Sequence, residues 1–239
     1  MKTVLQKLFL GKNKKRNGAT SGTIDKRISN IKAIWNNERI DDVGIEKLFR
    51  LILAASQFLF PGIYLKHFFG KKGDDIKDVV MDFYILAKVG FPLSLLAYHW
   101  LTYPYSLVLV VWLLIETLLY VPSLIFASDH LPRPSSYRRS MLLLFFNYLE
   151  IVMAFAFIYS TGNYLNAEFK EWYDPIYFSF ATLSTIGYGD FYPITGHGKF
   201  LVCTQSLIFL AFVVLFINFF SNKVESAGYF DKENHEENE

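Results

Sequence analysis

Long apolar runs separated by short polar segments dominate this chain of 239 residues. A helix needs about 20 apolar residues to cross the hydrocarbon core of a bilayer. Four runs reach this length, and we name them segment B (residues 83–102), segment C (105–127), segment D (141–160) and segment E (200–221). The pattern predicts an all-α membrane protein with four transmembrane helices.

A shorter apolar run, segment A, covers residues 51–65 and is broken by Pro61 and Gly62. If segment A crossed the membrane, the lysine-rich residues 1–44 would lie outside, against the bias of basic residues towards the cytoplasm. A position along the inner face keeps these charges inside. We therefore predict an interfacial N-terminal helix, with a fifth span as the alternative.

Basic residues also predict the orientation. The loop between segments C and D contains Arg133, Arg138 and Arg139, whereas the short turn between B and C contains no Lys or Arg. Because short cytoplasmic loops carry the excess of basic residues, segment D should run outward and segment E inward. The protein would then be a multi-pass protein of the cell membrane with both termini in the cytoplasm.

The two ends of the chain differ in charge. Twelve of the 24 Lys and Arg residues fall within residues 1–50, whereas the last fifteen residues carry six acidic side chains and one lysine. Basic segments beside a membrane are attracted to anionic lipid of the inner leaflet. We expect that contact for the N-terminal region, and a solvated acidic tail at the other end.

Residues 161–199, between segments D and E, are too long for a turn and too polar at both ends for a span. They contain a short apolar helix pattern over residues 176–184, with Asp174 as its expected N-cap and Pro175 at its first position. Such a short helix must dip into the membrane and return. Non-helical backbone at that depth lines a water-filled path or is buried in protein.

The segment that follows the short helix has the composition that coordination of a dehydrated potassium ion requires. Backbone carbonyls in closely spaced layers must replace the water shell of the ion. The candidate groups are the carbonyls of Thr185, Ile186, Gly187 and Tyr188 and the hydroxyl of Thr185. Carbonyls that point to one side need alternating backbone conformations with some positive φ angles, which Gly187 and Gly189 adopt at little steric cost.

Residues 182–193, Thr-Leu-Ser-Thr-Ile-Gly-Tyr-Gly-Asp-Phe-Tyr-Pro, resemble the selectivity filter of the tetrameric potassium channels, including the small bacterial two-helix pores. The resemblance covers residues 141–224, about a third of the chain. It implies a homotetramer in which each subunit contributes one loop. The potassium-coordinating filter would then consist of Thr185, Ile186, Gly187, Tyr188 and Gly189.

The same resemblance implies roles for residues around the filter. Tyr188 would pack outward against an aromatic cuff that includes Tyr177 and Phe178. Asp190 would anchor the outer end of the filter, and we hypothesise that it does so through Tyr177. Some bacterial relatives brace this end with a Glu at the position of Ala181, so that brace cannot form here.

Segment E would line the cavity below the filter. If it follows the family pattern, the pore-facing residues of the cavity and gate are Leu210, Val213 or Val214, Ile217 and Ser221. Segment E contains no Gly between residues 200 and 221, so the glycine hinge of many relatives is missing. A bundle that closes near its inner end and gating at the filter both remain open.

Three ionisable residues fall inside the predicted spans: Lys88 in B, Glu116 in C and Glu150 in D. Such residues are costly in a membrane unless they are paired or hydrated. One interpretation is a structural ion pair that packs B and C against the pore. The other is a pH- or voltage-sensitive switch, which would make these residues gating charges. No regularly spaced Arg or Lys array of the kind that senses voltage is present.

The expected organisation has four parts: residues 1–76 as a basic cytoplasmic and interfacial region, 77–135 as a two-helix peripheral membrane region, 136–224 as the pore module and 225–239 as an acidic cytoplasmic tail. The predicted function is passive potassium conduction. A potassium transporter subunit and a regulatory, non-conducting channel subunit are the alternatives. We expect no enzymatic activity, no cofactor apart from the permeant potassium ion and no nucleic-acid partner.

Overall fold

The computed structural model describes residues 23–37, 44–71, 73–98, 104–126 and 137–226. Within these ranges the chain forms α1 (Thr23–Trp35), α2 (Ile45–Ser56), a 3-10 helix (Gln57–Leu59), α3 (Pro61–Gly70), α4 (Asp74–Ala97), α5 (Pro104–Phe126), α6 (Tyr137–Ser160), α7 (Asp174–Leu183) and α8 (Gly196–Ser226). The expected all-α membrane class is confirmed. The predictions for the basic residues 1–22, the loop 127–136 and the tail from residue 227 lie outside the described residues.

Three helical stretches in the described part of the chain are long and apolar enough to cross a membrane: Ile76–Ala97 in α4, Arg139–Ser160 in α6 and Gly196–Val214 in α8. They correspond to segments B, D and E. Segment C forms α5, within which Tyr105–Tyr120 is a shorter apolar helix. The count of four spans therefore stays a prediction.

Segment A is a bent pair of helices instead of one helix. The axis of α3 is inclined by 68° to that of α2 with its 3-10 turn. The bend falls at Phe60, which is extended (φ −119°, ψ 150°) because Pro61 excludes the helical conformation from the residue before it. At this bend the N–H of Gly62 donates a hydrogen bond to Oε1 of Glu116, at 3.2 Å. The contact argues against a flat interfacial helix and favours a broken span or a re-entrant pair.

The core of the described chain lies around α6, which contacts α4, α5, α7 and α8. The side chains of Ile151, Phe155 and Tyr159 are fully buried. A helix that is apolar on all faces gains most from a central position, because each face can then pack against another helix. As a result, α6 connects the peripheral helices on one side with α7 and α8 on the other.

Gly62→Ala should destabilise the protein. A Cβ atom at this position would lie 2.5 Å from Oε1 of Glu116, so the carboxylate would have to leave the Gly62 amide. Loss of this hydrogen bond leaves a partly buried donor without its partner, which costs about 1–3 kcal/mol. Thermal unfolding in detergent, followed by tryptophan fluorescence, should therefore give a lower Tm. The control is Gly90→Ala in α4, where an added Cβ meets nothing within 4 Å. Equal Tm values for the two variants would contradict the prediction.

Candidate functional site

The short helix α7 leads into the predicted filter. It begins at Asp174 with Tyr173 as its N-cap, and no side-chain hydrogen bond caps it. The prediction that Asp174 is the N-cap is therefore wrong. Its carboxylate instead accepts hydrogen bonds from the N–H groups of Lys170 and Glu171, at 2.8 and 2.9 Å. Side chains on a helix lean towards its N-terminus, so this carboxylate reaches the preceding turn.

The backbone after α7 alternates in conformation. Thr185, Gly187 and Gly189 have φ angles of +58°, +62° and +83°, whereas Ile186 and Tyr188 between them do not have positive φ. This is the alternation that carbonyl groups aligned on one side require. The sequence did not predict the positive φ of Thr185, because a β-branched residue is strained in the left-handed region. The left-handed conformation costs about 1–2 kcal/mol for an L-residue, so the surroundings must hold it in place.

The last turn of α7 holds the inner end of this segment. The N–H of Thr185 donates to the carbonyl of Thr182 at 3.2 Å, and the N–H of Ile186 donates to the carbonyl of Ala181 at 3.1 Å. The final carbonyls of a helix lack partners within the helix itself. Here the segment that follows supplies them, so the chain passes directly from the helix into the alternating backbone.

Tyr177 of α7 holds the outer end of the same segment. Its ring stacks on that of Tyr188, with centroids 5.9 Å apart and an angle of 14° between the planes. The interaction of its hydroxyl with the carboxylate of Asp190 lowers the pKa of that carboxyl and raises the pKa of Tyr177 to about 12. Phe178, the other predicted cuff residue, is buried instead against the ring of Tyr159, at 4.8 Å between centroids.

Asn166 makes contacts to this region that the sequence interpretation missed. Its Nδ2 donates a hydrogen bond to the carbonyl of Asp190 at 3.0 Å. Its Oδ1 accepts one from the N–H of Tyr192 at 2.7 Å, and its own N–H donates to the carbonyl of Tyr192 at 3.0 Å. Asn166 lies in a polar loop, where nothing in the sequence pattern distinguishes it from its neighbours.

A buried polar network lies behind α7 and was also missed. The hydroxyl of Tyr159 in α6 donates to Oε1 of Gln205 in α8 at 2.8 Å. Nε2 of Gln205 donates to Oγ and to the carbonyl of Ser179 in α7, at 2.8 and 3.1 Å. Oγ of Ser179 donates to the carbonyl of Val152 at 2.8 Å. Gln205 could have indicated this network from the sequence, since an amide buried among apolar residues requires hydrogen-bond partners.

One face of α8 is exposed in the single chain. Its residues recur at intervals of three and four positions and are Phe200, Cys203, Leu207, Leu210, Val214 and Ile217. Of the predicted cavity residues, Leu210, Val214 and Ile217 lie on this face, and Val213 is half-buried beside it. The side chain of Ser221 lies outside the described residues. The side chains of Ile186 and Tyr188 are exposed as well.

The three ionisable residues of the spans lie together, at the junction of α4, α5 and α6. Nζ of Lys88 is 3.0 Å from Oε1 of Glu150 and 3.4 Å from Oε2 of Glu116. Oγ1 of Thr117 accepts a hydrogen bond from Lys88 at 2.6 Å and donates one to Oε2 of Glu150 at 2.8 Å. The hydroxyl of Tyr84 donates to Glu116. We call these five residues the charge cluster.

The charge cluster is almost closed to its surroundings. Lys88 and Glu150 are 5% and 1% exposed, and Glu116 is 15% exposed. One ammonium group thus faces two carboxylates, and the amide of Gly62 supplies a further donor to Glu116. Mutual pairing is how ionisable groups are tolerated inside a membrane protein. Removal of one partner from such a group leaves a buried charge uncompensated and is strongly destabilising.

Comparison with known proteins gives a match that includes α7 and the segment after it. A family model described as an ion channel matches residues 147–226, which run from α6 to the end of α8. This match covers roughly a third of the chain. No solved structure matches the chain. The match indicates an ion channel of the pore-loop type, which is a transport protein.

Tyr177→Phe should reduce the acid sensitivity of the folded protein. The interaction with Tyr177 keeps the pKa of Asp190 below its ordinary value of 3.8. The stabilisation from the ionised carboxylate is therefore complete above the unfolded pKa and is lost as pH falls through the lower, folded pKa. The fall in Tm between neutral pH and about pH 3 should be smaller in the variant. Tyr173→Phe is the control, and an unchanged pH dependence in Tyr177→Phe would argue against the interaction.

Proposed function

We propose that this chain is the subunit of a homotetrameric potassium-selective channel that conducts passively through residues 185–189 of four copies. The observation that carries the proposal is the alternation of φ at Thr185, Gly187 and Gly189, directly after a helix too short to span. This backbone suits successive carbonyl groups that point to one side. Four such segments around an axis present rings of oxygens that replace the water shell of potassium.

The orientation of α7 also favours a cation. The C-terminal end of a helix carries a partial negative charge of about half an elementary unit. In α7 this end adjoins Thr185, so in a tetramer four helix ends point towards the inner end of the conduction path. With ten residues, α7 is about 15 Å long, half the thickness of the hydrocarbon core of about 30 Å.

The exposed face of α8 supports the tetramer. Its aliphatic residues Leu210, Val214 and Ile217 leave a continuous apolar surface over two turns of the helix. Closed cyclic symmetry covers such a surface with its equivalent on the next subunit and leaves the remainder for a central cavity. One chain contributes only one side of the conduction path, so several copies of the chain are needed to complete it.

The membrane arrangement completes the proposal. The protein is multi-pass in the cell membrane, with α2 and α3 as a re-entrant pair that returns to the inner face. Both termini are then cytoplasmic, and the basic N-terminal region contacts anionic lipid of the inner leaflet. These assignments rest on the distribution of Lys and Arg along the chain. Each basic residue close to an anionic surface contributes about 1 kcal/mol to that attraction.

We further propose that the charge cluster couples the peripheral helices to the conduction path. Glu150 lies two residues from Val152, whose carbonyl accepts the hydrogen bond of Ser179 in α7. A shift of α6 at Glu150 therefore reaches α7 directly. The groups that face the two carboxylates are Lys88 and Tyr84 from α4, Thr117 from α5, and the Gly62 amide and Lys66 from α3.

Purified protein in liposomes should pass potassium and exclude sodium. Potassium efflux should need no energy source, and the reversal potential of the current should follow the potassium gradient. Gly187→Ala should reduce potassium flux at least tenfold, because alanine resists the φ of +62° at this position by about 1–2 kcal/mol in each of four subunits. Gly196→Ala, which is outside this segment and meets nothing within 4 Å, is the control.

Three results would reject the proposed function. Equal fluxes of potassium and sodium would remove selectivity, and flux that needs an energy source would indicate a transporter. Absence of flux from a correctly assembled wild-type protein would indicate a non-conducting subunit.

Glu116→Gln should shift the pH or voltage dependence of channel opening. The substitution removes one of the two carboxylates that face Lys88. The Gly62 amide and the Tyr84 hydroxyl donate to different oxygens of Glu116, so the glutamine amide keeps an acceptor for one of these two donors. Open probability measured in bilayers over a range of pH and voltage tests this, with exposed Glu168→Gln as the control for loss of one negative charge. An unchanged dependence in a variant that assembles normally would leave the cluster with a structural role alone.

A further inference from the structure

The outer end of the predicted filter needs support from outside α7. Ala181 of α7 is buried and has no polar side chain with which to hold Asp190. Tyr177 holds the carboxylate of Asp190, but a bond to the side chain leaves rotation of the main chain free. Gly189, directly before Asp190, has a φ of +83° and adds little resistance of its own.

We propose that Asn166 is the positioning residue for the main chain at this end, a role that rests on the proposed potassium conduction. Its Nδ2 donates to the carbonyl of Asp190 at 3.0 Å, and its Oδ1 accepts from the N–H of Tyr192 at 2.7 Å. The side chain thus binds both sides of the turn by which the chain leaves the filter. Asp190 is held from two directions, by Tyr177 on its carboxylate and by Asn166 on its carbonyl.

Asn166 is itself held in place by the neighbouring backbone. Its N–H donates to the carbonyl of Tyr192 at 3.0 Å, and the N–H of Ile194 donates to the carbonyl of Tyr164 at 3.1 Å. Between these bonds, Leu165 and Pro193 form an antiparallel bridge. This bridge holds the backbone of Asn166 beside the chain that leaves the filter. The loop between α6 and α7 therefore acts on the filter through one amide group.

The consequence is a bias between two forms of the filter. If the peptide after Gly189 rotates, the carbonyl of Gly189 turns away from the path and the outermost oxygen layer is lost. When the main chain of Asp190 turns together with this peptide, the bond from Nδ2 of Asn166 to the carbonyl of Asp190 breaks, and Asn166 therefore opposes the movement. Potassium opposes it too, since an ion that binds the aligned form alone stabilises that form increasingly as the ion concentration rises. Loss of Asn166 and low potassium should therefore act in the same direction.

Asn166→Ala should give channels that conduct at high external potassium and lose current as potassium is lowered. Net loss of one hydrogen bond should raise the ratio of non-conducting to conducting channels about tenfold at a given potassium concentration. Currents are recorded from reconstituted protein at constant ionic strength, with an impermeant cation in place of potassium. Restoration of current by potassium distinguishes positioning from misfolding, which lowers the channel number at every concentration.

Two further variants make the test specific. Asn163→Ala removes an exposed amide of the same loop whose side chain makes no hydrogen bond to residues 185–193, and it should match the wild type. Asn166→Asp keeps an acceptor for Tyr192 but loses the donor to Asp190, so it should reproduce the potassium dependence of Asn166→Ala. Wild-type behaviour of Asn166→Asp would overturn the assignment to the Asp190 bond.

The inference and the proposed function can fail separately. A wild-type protein without selective potassium current rejects the proposed function. A selective wild-type channel for which Asn166→Ala has the same potassium dependence as Asn163→Ala retains that function and rejects the role of Asn166.

Discussion

Residues 185–189 must keep a backbone in which positive and negative φ angles alternate. Residues other than glycine adopt positive φ only at a cost, so the surrounding structure has to maintain this conformation. Glycine meets this demand at two positions, but Thr185 meets it against its own preference. Support therefore comes from three directions. The last turn of α7 binds the inner end through the amides of Thr185 and Ile186, Tyr177 binds the carboxylate of Asp190, and Asn166 binds the main chain beside it.

This support is only as rigid as α7 itself, which is too short to be stable alone. The buried network of Tyr159, Gln205 and Ser179 fastens it to α6 and α8. All three side chains are fully buried, and each of the hydrogen bonds replaces one that water would have made. In a low-dielectric interior such bonds are strong, and an unpaired group would be costly. The network thus fixes the position of α7 relative to both long helices.

The peripheral helices reach the same centre through α6. The charge cluster joins α4 and α5 to Glu150, and the amide of Gly62 adds the bend of α2 and α3. Near the N-terminus of α6, Arg139 forms ion pairs of 2.7 Å with both Asp78 and Asp82 of α4. Two polar contacts therefore hold α4 against α6, the helix to which Ser179 of α7 is hydrogen-bonded. Two helices that are joined by polar contacts at two points move together. Helices joined by apolar contacts alone can slide past each other.

The sequence by itself determined the all-α membrane class and the order of the long helices, and it predicted where the proposed conduction segment lies. Apolar runs and a short glycine-containing motif are local patterns, so the segments corresponding to α6, α7 and α8 were predicted close to their observed bounds. It also selected Lys88, Glu116 and Glu150, because charge within an apolar run is visible without a structure. Only the tertiary structure decided their partners and revealed Asn166, Ser179 and Gln205, since hydrogen bonds between residues 24 or more positions apart leave no periodic trace.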